Sequence, residues 1–292
     1  MISSKLQSAL LQLGLSWENV LDLVERAIRE DLQGGVDVTS VATVPIDHRS
    51  TAEFRSRKPG VVSGLHIAAV VLEEEGITDY QMIISEGTHI ERGDLLLTAH
   101  GATRSLLLAE RTALNFLSHL SGISTVTAQW VEAVKGTKTA IRDTRKTTPL
   151  LRELEKFAVR MGGGVNHRFS LSDAALIKDN HIIAAGGVIP AFNAVREKYP
   201  DLPLEVEVDN LDQLREVVDA GADLVLLDNM TPEQCREAVE IAAGRSSLEA
   251  SGGLTLERAR AYAETGVDYL AVGALTHSSS ILDIGLDLRM ES

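Results

Sequence analysis

Arg142, Arg145, Lys146, His167, Arg168, Lys178 and His181 all fall in one stretch, between Ile141 and His181. The chain around them is acidic, with a formal net charge of -14 from 42 acids and 28 bases. Cations gathered in an acidic molecule repel one another unless something negative joins them, so the cluster reads as an anion site. Arginine forks hold carboxylates and phosphates through paired hydrogen bonds, which makes such anions the natural ligands. A merely solvated basic face would run along one side of a helix. Here the bases fall instead at the expected ends of elements.

Acids and glycines recur in the same half. In Leu204-Glu205-Val206-Glu207-Val208-Asp209, strand alternation turns all three carboxylates to one face. Charge on a central strand is costly unless that face meets a polar pocket or paired cations, so the face is read as the mouth of a pocket. Lys178-Asp179-Asn180 and Asp228-Asn229 close two further apolar runs. Ser251-Gly252-Gly253 precedes a helix with Thr255 as its expected cap, and Gly273-Ala274-Leu275-Thr276-His277 follows the last strand. Glycines there let backbone N–H groups approach an anion. Carboxylates beside bases suit a developing sugar cation, or a Mg2+ ion shared with phosphate oxygens, and so point to glycosyl or phosphoribosyl transfer. There is no Cys–His nucleophile pair and no zinc spacing of His and Cys.

Such groups need a scaffold that collects them from distant parts of the chain. After Gly136 six strand candidates (TAIRDT, AALIKDN, LEVEVDN, ADLVLLDN, SLEASGG, YLAVGA) alternate with helix candidates around Pro149–Met161, Val188–Lys198, Leu211–Ala220, Pro232–Ala243 and Leu256–Thr265. Strands joined by single helices are parallel. With no dinucleotide glycine fingerprint in the first turn, a closed or nearly closed barrel is favoured over an open doubly wound sheet. In a barrel the working groups sit at the carboxyl ends of the strands, where the bases, acids and glycine loops above all fall.

The first half reads differently. Trp17–Asp31 is an amphipathic helix capped by Ser16, residues 50–62 alternate as strand with a turn at Pro59-Gly60, and Ile67–Glu75 is a short helix. Residues 85–101 read as short strands broken at Gly87, Gly93 and Gly101. Their turn grammar is that of small cofactor-carrier domains, but no lysine sits at a hairpin tip, so the segment is read as architecture. From Arg104 a long helical stretch follows, with a break expected near Ser121-Gly122.

A composition of 44% hydrophobic and 24% charged residues over 292 positions is that of a globular protein with one large or two ordinary domains. The acidic balance argues against nucleic acid as a partner. No run approaches the ~20 apolar residues of a membrane helix, and the N-terminus has no signal-peptide pattern. Cys235, the lone cysteine, falls in a helical pattern and is expected to be packed, in a reducing compartment. A cytoplasmic protein is expected.

The motifs Asp143-Thr144-Arg145-Lys146-Thr147 and Gly162-Gly163-Gly164-Val165-Asn166-His167-Arg168, followed by EVEVDN, LLDN, EASGG and VGALTH, together resemble the quinolinate phosphoribosyltransferase family over nearly the whole chain. The resemblance implies an α/β fold: an N-terminal α/β sandwich domain (1–112, with 278–292 returning to it) and an open (β/α) TIM-like barrel (113–277). It implies transfer of phosphoribose from phosphoribosyl pyrophosphate to quinolinate with decarboxylation, using Mg2+, in NAD biosynthesis. It further implies a homodimer or higher homo-oligomer with shared active sites.

Residue by residue, the resemblance assigns quinolinate to Arg145, His167, Arg168 and Lys178, with Arg111 reaching in from a neighbouring subunit. It assigns the pyrophosphate of the donor to Lys146. Glu207 and Asp228 fall to the ribose hydroxyls and to Mg2+ through water or substrate, and Ser251, Gly252, Gly253, Gly273 and His277 to the 5′-phosphate. Two rival readings are a same-fold enzyme acting on a mono-acid and a non-enzymatic anion-binding module. The full cation set disfavours the first, and the inward acids, which would weaken simple anion capture, disfavour the second.

Overall fold

The structure, a computed structural model, describes residues 2–290. The first elements are α1 (Ser4–Gln12), α2 (Trp17–Leu32), α3 (Val38–Thr43), β1 (Arg49–Ser56), β2 (Gly60–Val61), α4 (Leu65–Glu74), β3 (Asp79–Met82), β4 (His89–Ile90), β5 (Leu95–Ala102) and α5 (Thr103–Ala133). Then come β6 (Ala140–Arg142), α6 (Arg152–Met161), β7 (Ala175–Ile177), α7 (Asp179–Ala185), α8 (Val188–Lys198), β8 (Leu204–Val208), α9 (Leu211–Asp219), β9 (Leu224–Asp228), α10 (Pro232–Ala242), β10 (Ser247–Ser251), α11 (Leu256–Ala263), β11 (Tyr269–Ala271), α12 (Ala274–His277) and β12 (Ile284–Met290). They form two compact units. Of the described residues, one contains 2–126, 153–162 and 279–290, and the other 127–152 and 163–278. The expected boundary at 112/113 falls inside α5, which runs through it unbroken.

In the first unit, β12, β1, β5 and β3 form an antiparallel sheet in that order, and β2 pairs with β4. Helix α4 is its buried centre: Leu65, Ile67, Val70, Val71 and Leu72 are fully covered, each contributing about 1.5–3 kcal/mol through burial. It packs on α1 and α2, and α2 begins as expected, with the Ser16 side chain accepting from Asn19 N–H.

The expected break at Ser121-Gly122 does not occur. A side chain at Gly122 would run into the backbone at Ser280 and Ile281, so the glycine lets the returning C-terminal segment cross the helix. It is there for close approach and does not end the helix. Ser121 exchanges hydrogen bonds with the backbone of Ser63 (3.0 and 3.1 Å), and Leu282 N–H donates to Ser118 O.

Helix α6 also departs from expectation, starting at Arg152 and not at Pro149. Leu150 takes φ +71 and is exposed, a left-handed residue that places the Pro149–Leu151 turn outside the helix. The apolar face from Leu154 to Val159 is buried as its spacing implied.

The second unit is a single parallel sheet in the order β6-β11-β10-β9-β8-β7. Consecutive strands from β7 to β11 are neighbours, and β11 joins β6. This is the cyclic order of a (β/α) barrel, with β6 and β7 at the two open edges. Val165 lies beside Arg142 as an isolated parallel bridge at the β6 edge. The register lines up the inward positions in rows. Arg142, Ala271, Ser251 and Asp228 are partners across β6, β11, β10 and β9, and one step deeper Tyr269, Glu249, Leu226 and Glu207 are partners across β11, β10, β9 and β8. Val206 and Val208, on the other face of β8, are buried where α8 and α9 pack. Cys235 is buried in α10, and burial pushes its thiol up to about 12, so it is a packed residue and no nucleophile.

Candidate active site

The carboxyl ends of the barrel strands enclose a cavity of about 580 Å³. Arg145, Lys146, His167, Arg168, Lys178, Glu207, Asp228, Ser251, Gly252 and Gly253 line it, together with Thr144, Asn229 and Glu249. Ten of the thirteen residues expected at the site therefore meet in one place. Gly273 and His277 do not line this cavity but stand beside it. A side chain at Gly273 would meet Lys146 Cδ and His277 Nε2, each at 3.1 Å, and Thr276 Oγ1 donates to Lys146 O at 2.7 Å. Arg111 is exposed on α5 in the first unit.

Local structure explains each placement. The backbone after β6 is fixed by Asp143, which is fully buried. Its carboxylate accepts from Asn166 Nδ2 at 2.6 Å and from His167 N–H at 2.8 Å. That pair of bonds brings the Gly-Gly-Gly-Val-Asn-His-Arg segment alongside the loop after β6 that carries Arg145 and Lys146. Arg168 Nη1 donates to Ala174 O at 2.9 Å. Lys178 Nζ meets Glu207 Oε2 at 2.8 Å, a cation and an acid delivered by the ends of adjacent strands β7 and β8. His181, counted in sequence among the cluster's cations, acts locally instead. Its Nδ1 accepts from Lys178 N–H at the start of α7.

The glycine loop after β10 is shaped by close approach. Gly252 takes φ +90, and a side chain there would collide with the Asn229 side chain; Gly253 takes φ +57 with open space around it. Asn229, itself left-handed at φ +53, donates its backbone N–H to Ser251 O and its Nδ2 to Asp228 Oδ2. Gly252→Ala is expected to destabilise the protein by about 1–3 kcal/mol, through a strained left-handed residue and overpacking against Asn229. A urea midpoint equal to the parent's would contradict this.

The electrostatics match an anionic ligand. Burial, and then the neighbouring Arg145, push the Arg168 guanidinium below its ordinary range, the mark of two cations facing one desolvated space. The Nε atoms of Arg145 and Arg168 are buried with no hydrogen-bond partner among the described residues, and carboxylate oxygens fit that demand. Glu207 and Asp228 offer hard oxygen donors of the type Mg2+ takes alongside phosphate oxygens.

Behind this cavity lies a group of residues that the sequence did not single out as a unit. His167, Glu205 and Glu249 are all buried, with His167 Nε2 at 2.8 Å from Glu205 Oε2 and 3.6 Å from Glu249 Oε1. Arg142 Nη1 pairs with Glu249 Oε2 at 2.8 Å and lies over the Tyr269 ring. Burial raises both carboxyls well above the usual range, Glu205 to about 7 even with Arg142 and Arg168 nearby. Glu205 was legible as inward-facing from the β8 alternation. Glu249 is the one charged residue of β10, flanked by Leu248 and Ala250, and that isolated charge is the clue that would have found it.

An open parallel barrel whose strand ends gather cations, carboxylates and a glycine loop is the architecture of a barrel enzyme for polyanionic substrates. Comparison with known proteins sharpens this. Residues 37–121 and 123–287 match the models of the N-terminal and C-terminal domains of quinolinate phosphoribosyl transferase, and the chain belongs to that family. It is 54% identical over 273 residues to the nicotinate-nucleotide pyrophosphorylase [carboxylating] of Mycobacterium leprae, covering 91% of this chain and 96% of the relative. A probable nicotinate-nucleotide pyrophosphorylase [carboxylating] of Bacillus subtilis is 38% identical, with 92% and 93% covered. Among solved structures, the nicotinate-nucleotide pyrophosphorylase of Francisella tularensis superposes with a TM-score of 0.90 at 38% identity, covering 93% of this chain and 96% of that one.

Proposed function

We propose that the chain transfers the phosphoribosyl group of phosphoribosyl pyrophosphate to quinolinate and releases CO2, giving nicotinate mononucleotide and pyrophosphate for NAD synthesis. The observation that carries this is the convergence, in one cavity, of Arg145, Arg168 and Lys178 with Glu207, Asp228 and the Ser251–Gly253 loop. Arg145, Arg168 and Lys178 face the acid, with His167 beside Arg168 in the cavity wall, and Lys146 faces the pyrophosphate of the donor. Ser251, Gly252 and Gly253, with Gly273 and His277 beside them, receive the 5′-phosphate through backbone N–H groups. Glu207 and Asp228 would hold Mg2+ through water or donor oxygens, and the bound ion would neutralise charge on the departing pyrophosphate.

The chemistry needs no protein nucleophile. As the anomeric C–O bond to pyrophosphate breaks, positive charge grows on the ribose, and Glu207 and Asp228 stabilise it more than they stabilise the ground state. The lone pair of the ring nitrogen forms the new C–N bond. The ring is then a cationic pyridinium, so the adjacent C–CO2 bond can break and leave its electron pair on the ring carbon, which takes up a proton.

The proposal includes a homodimer or larger homo-oligomer in the cytoplasm, with Arg111 of one subunit completing the site of another. Arg111→Ala and Lys178→Ala proteins are each expected to be inactive and to regain part of the activity when mixed and reassociated. No recovery in mixed oligomers would argue against a shared site. The reading as a whole is tested by product chromatography. Quinolinate should give nicotinate mononucleotide and nicotinate should not; equal use of nicotinate would favour a same-fold enzyme for a mono-acid.

A further inference from the structure

His167 has no ring nitrogen left for the substrate. Its Nδ1 accepts the backbone N–H of Arg168 at 2.7 Å, so that nitrogen carries no proton. Nε2 must then hold the proton, and it lies 2.8 Å from Glu205 Oε2. The network thus assigns the neutral Nε2–H tautomer, with Glu205 as the acceptor. Glu205 itself does not line the substrate cavity. It lines a second cavity of about 410 Å³, shared with Arg142, Asn166 and Pro203, whose wall toward the first is made by His167 and Arg168.

From this we propose that Glu205 is a positioning residue for recognition of the acid substrate. It fixes the His167 ring by accepting Nε2–H, and the ring in turn fixes the backbone of Arg168 through Nδ1. The place where the Arg168 guanidinium meets a carboxylate is thereby set from behind the pocket. Glu249 lies to the side of the same ring, its Oε1 3.6 Å from Nε2 and its Oε2 held by Arg142, so Glu205 is the nearer acceptor by 0.8 Å. His167 supports the cation that grips the substrate and donates no hydrogen bond to it. The inference rests on the proposed activity only for the identity of the acid.

The kinetic test compares parent, Glu205→Ala and Glu205→Gln proteins. Glu205→Ala is expected to raise the quinolinate KM by about tenfold or more, through loss of the buried acceptor that holds the His167 ring, and to leave the phosphoribosyl pyrophosphate KM and kcat close to the parent's. Glu205→Gln should restore most of the quinolinate KM, because an amide oxygen also accepts Nε2–H. An unchanged quinolinate KM in Glu205→Ala, an equal rise for both substrates, or a Gln variant as poor as the Ala variant would overturn the proposal.

Nitrogen-15 NMR of histidine-labelled parent protein, with His167 assigned by its loss in His167→Gln, provides a readout that needs neither a folded Glu205 variant nor turnover. A bare Nδ1 and a protonated Nε2 at neutral pH are expected. An imidazolium or the opposite tautomer would overturn the assignment even if the protein turns quinolinate over. The expected tautomer in a protein inactive on quinolinate would leave the positioning geometry standing and refute the activity instead.

Discussion

Arg168→Ala is expected to weaken quinolinate binding by about 2–5 kcal/mol, roughly 30-fold to several-thousand-fold in Kd, and to leave phosphoribosyl pyrophosphate binding nearly unchanged. The guanidinium is half-buried, its Nε lacks a partner among the described residues, and it shares its space with Arg145. Removing it leaves a carboxylate desolvated against a neutral wall. Part of the loss is therefore the cost of that stranded anion and not only of the missing contact. Calorimetric titration with each substrate separates the two affinities, and an unchanged quinolinate Kd would remove Arg168 from the site.

Asp228→Asn is expected to act on the other half of the reaction. The substitution keeps the shape and a hydrogen-bonding oxygen beside Asn229 Nδ2, but removes the charge at the end of β9. If that charge stabilises the developing ribose cation, kcat should fall by about 10²–10³-fold, the range seen when one preorganised electrostatic group is lost, with much smaller changes in substrate affinity. Single-turnover rates at saturating substrates check this. A loss confined to affinity would mean that Asp228 binds the donor without favouring the transition state.

Much of the barrel was legible because its period is strong. Apolar runs ending in Lys178, Glu207, Asp228 and Ser251 each closed a strand, and parallel pairing then forced those ends to one side. The buried cluster of His167, Glu205 and Glu249 was less legible, since these residues are brought together by barrel register and by the Asp143 bonds, none of which is local in sequence. Gly122 misled for a related reason. A glycine in a helix looks like a break, and only the crossing backbone at Ser280 shows that it is a contact. Leu150 misled in the opposite sense, since its apolar spacing fits a helix while its backbone is left-handed. Arg111 carries no local mark of function. It is an exposed residue on a long helix, and its expected role comes only from the family resemblance.

The most direct test of the central claim is release of labelled CO2 from carboxyl-labelled quinolinate. The site predicts release that requires both phosphoribosyl pyrophosphate and Mg2+ and that matches nicotinate mononucleotide mole for mole. Folded protein that binds quinolinate yet releases no CO2 with both present would contradict it, and would make this barrel an acid-binding scaffold turned to another purpose.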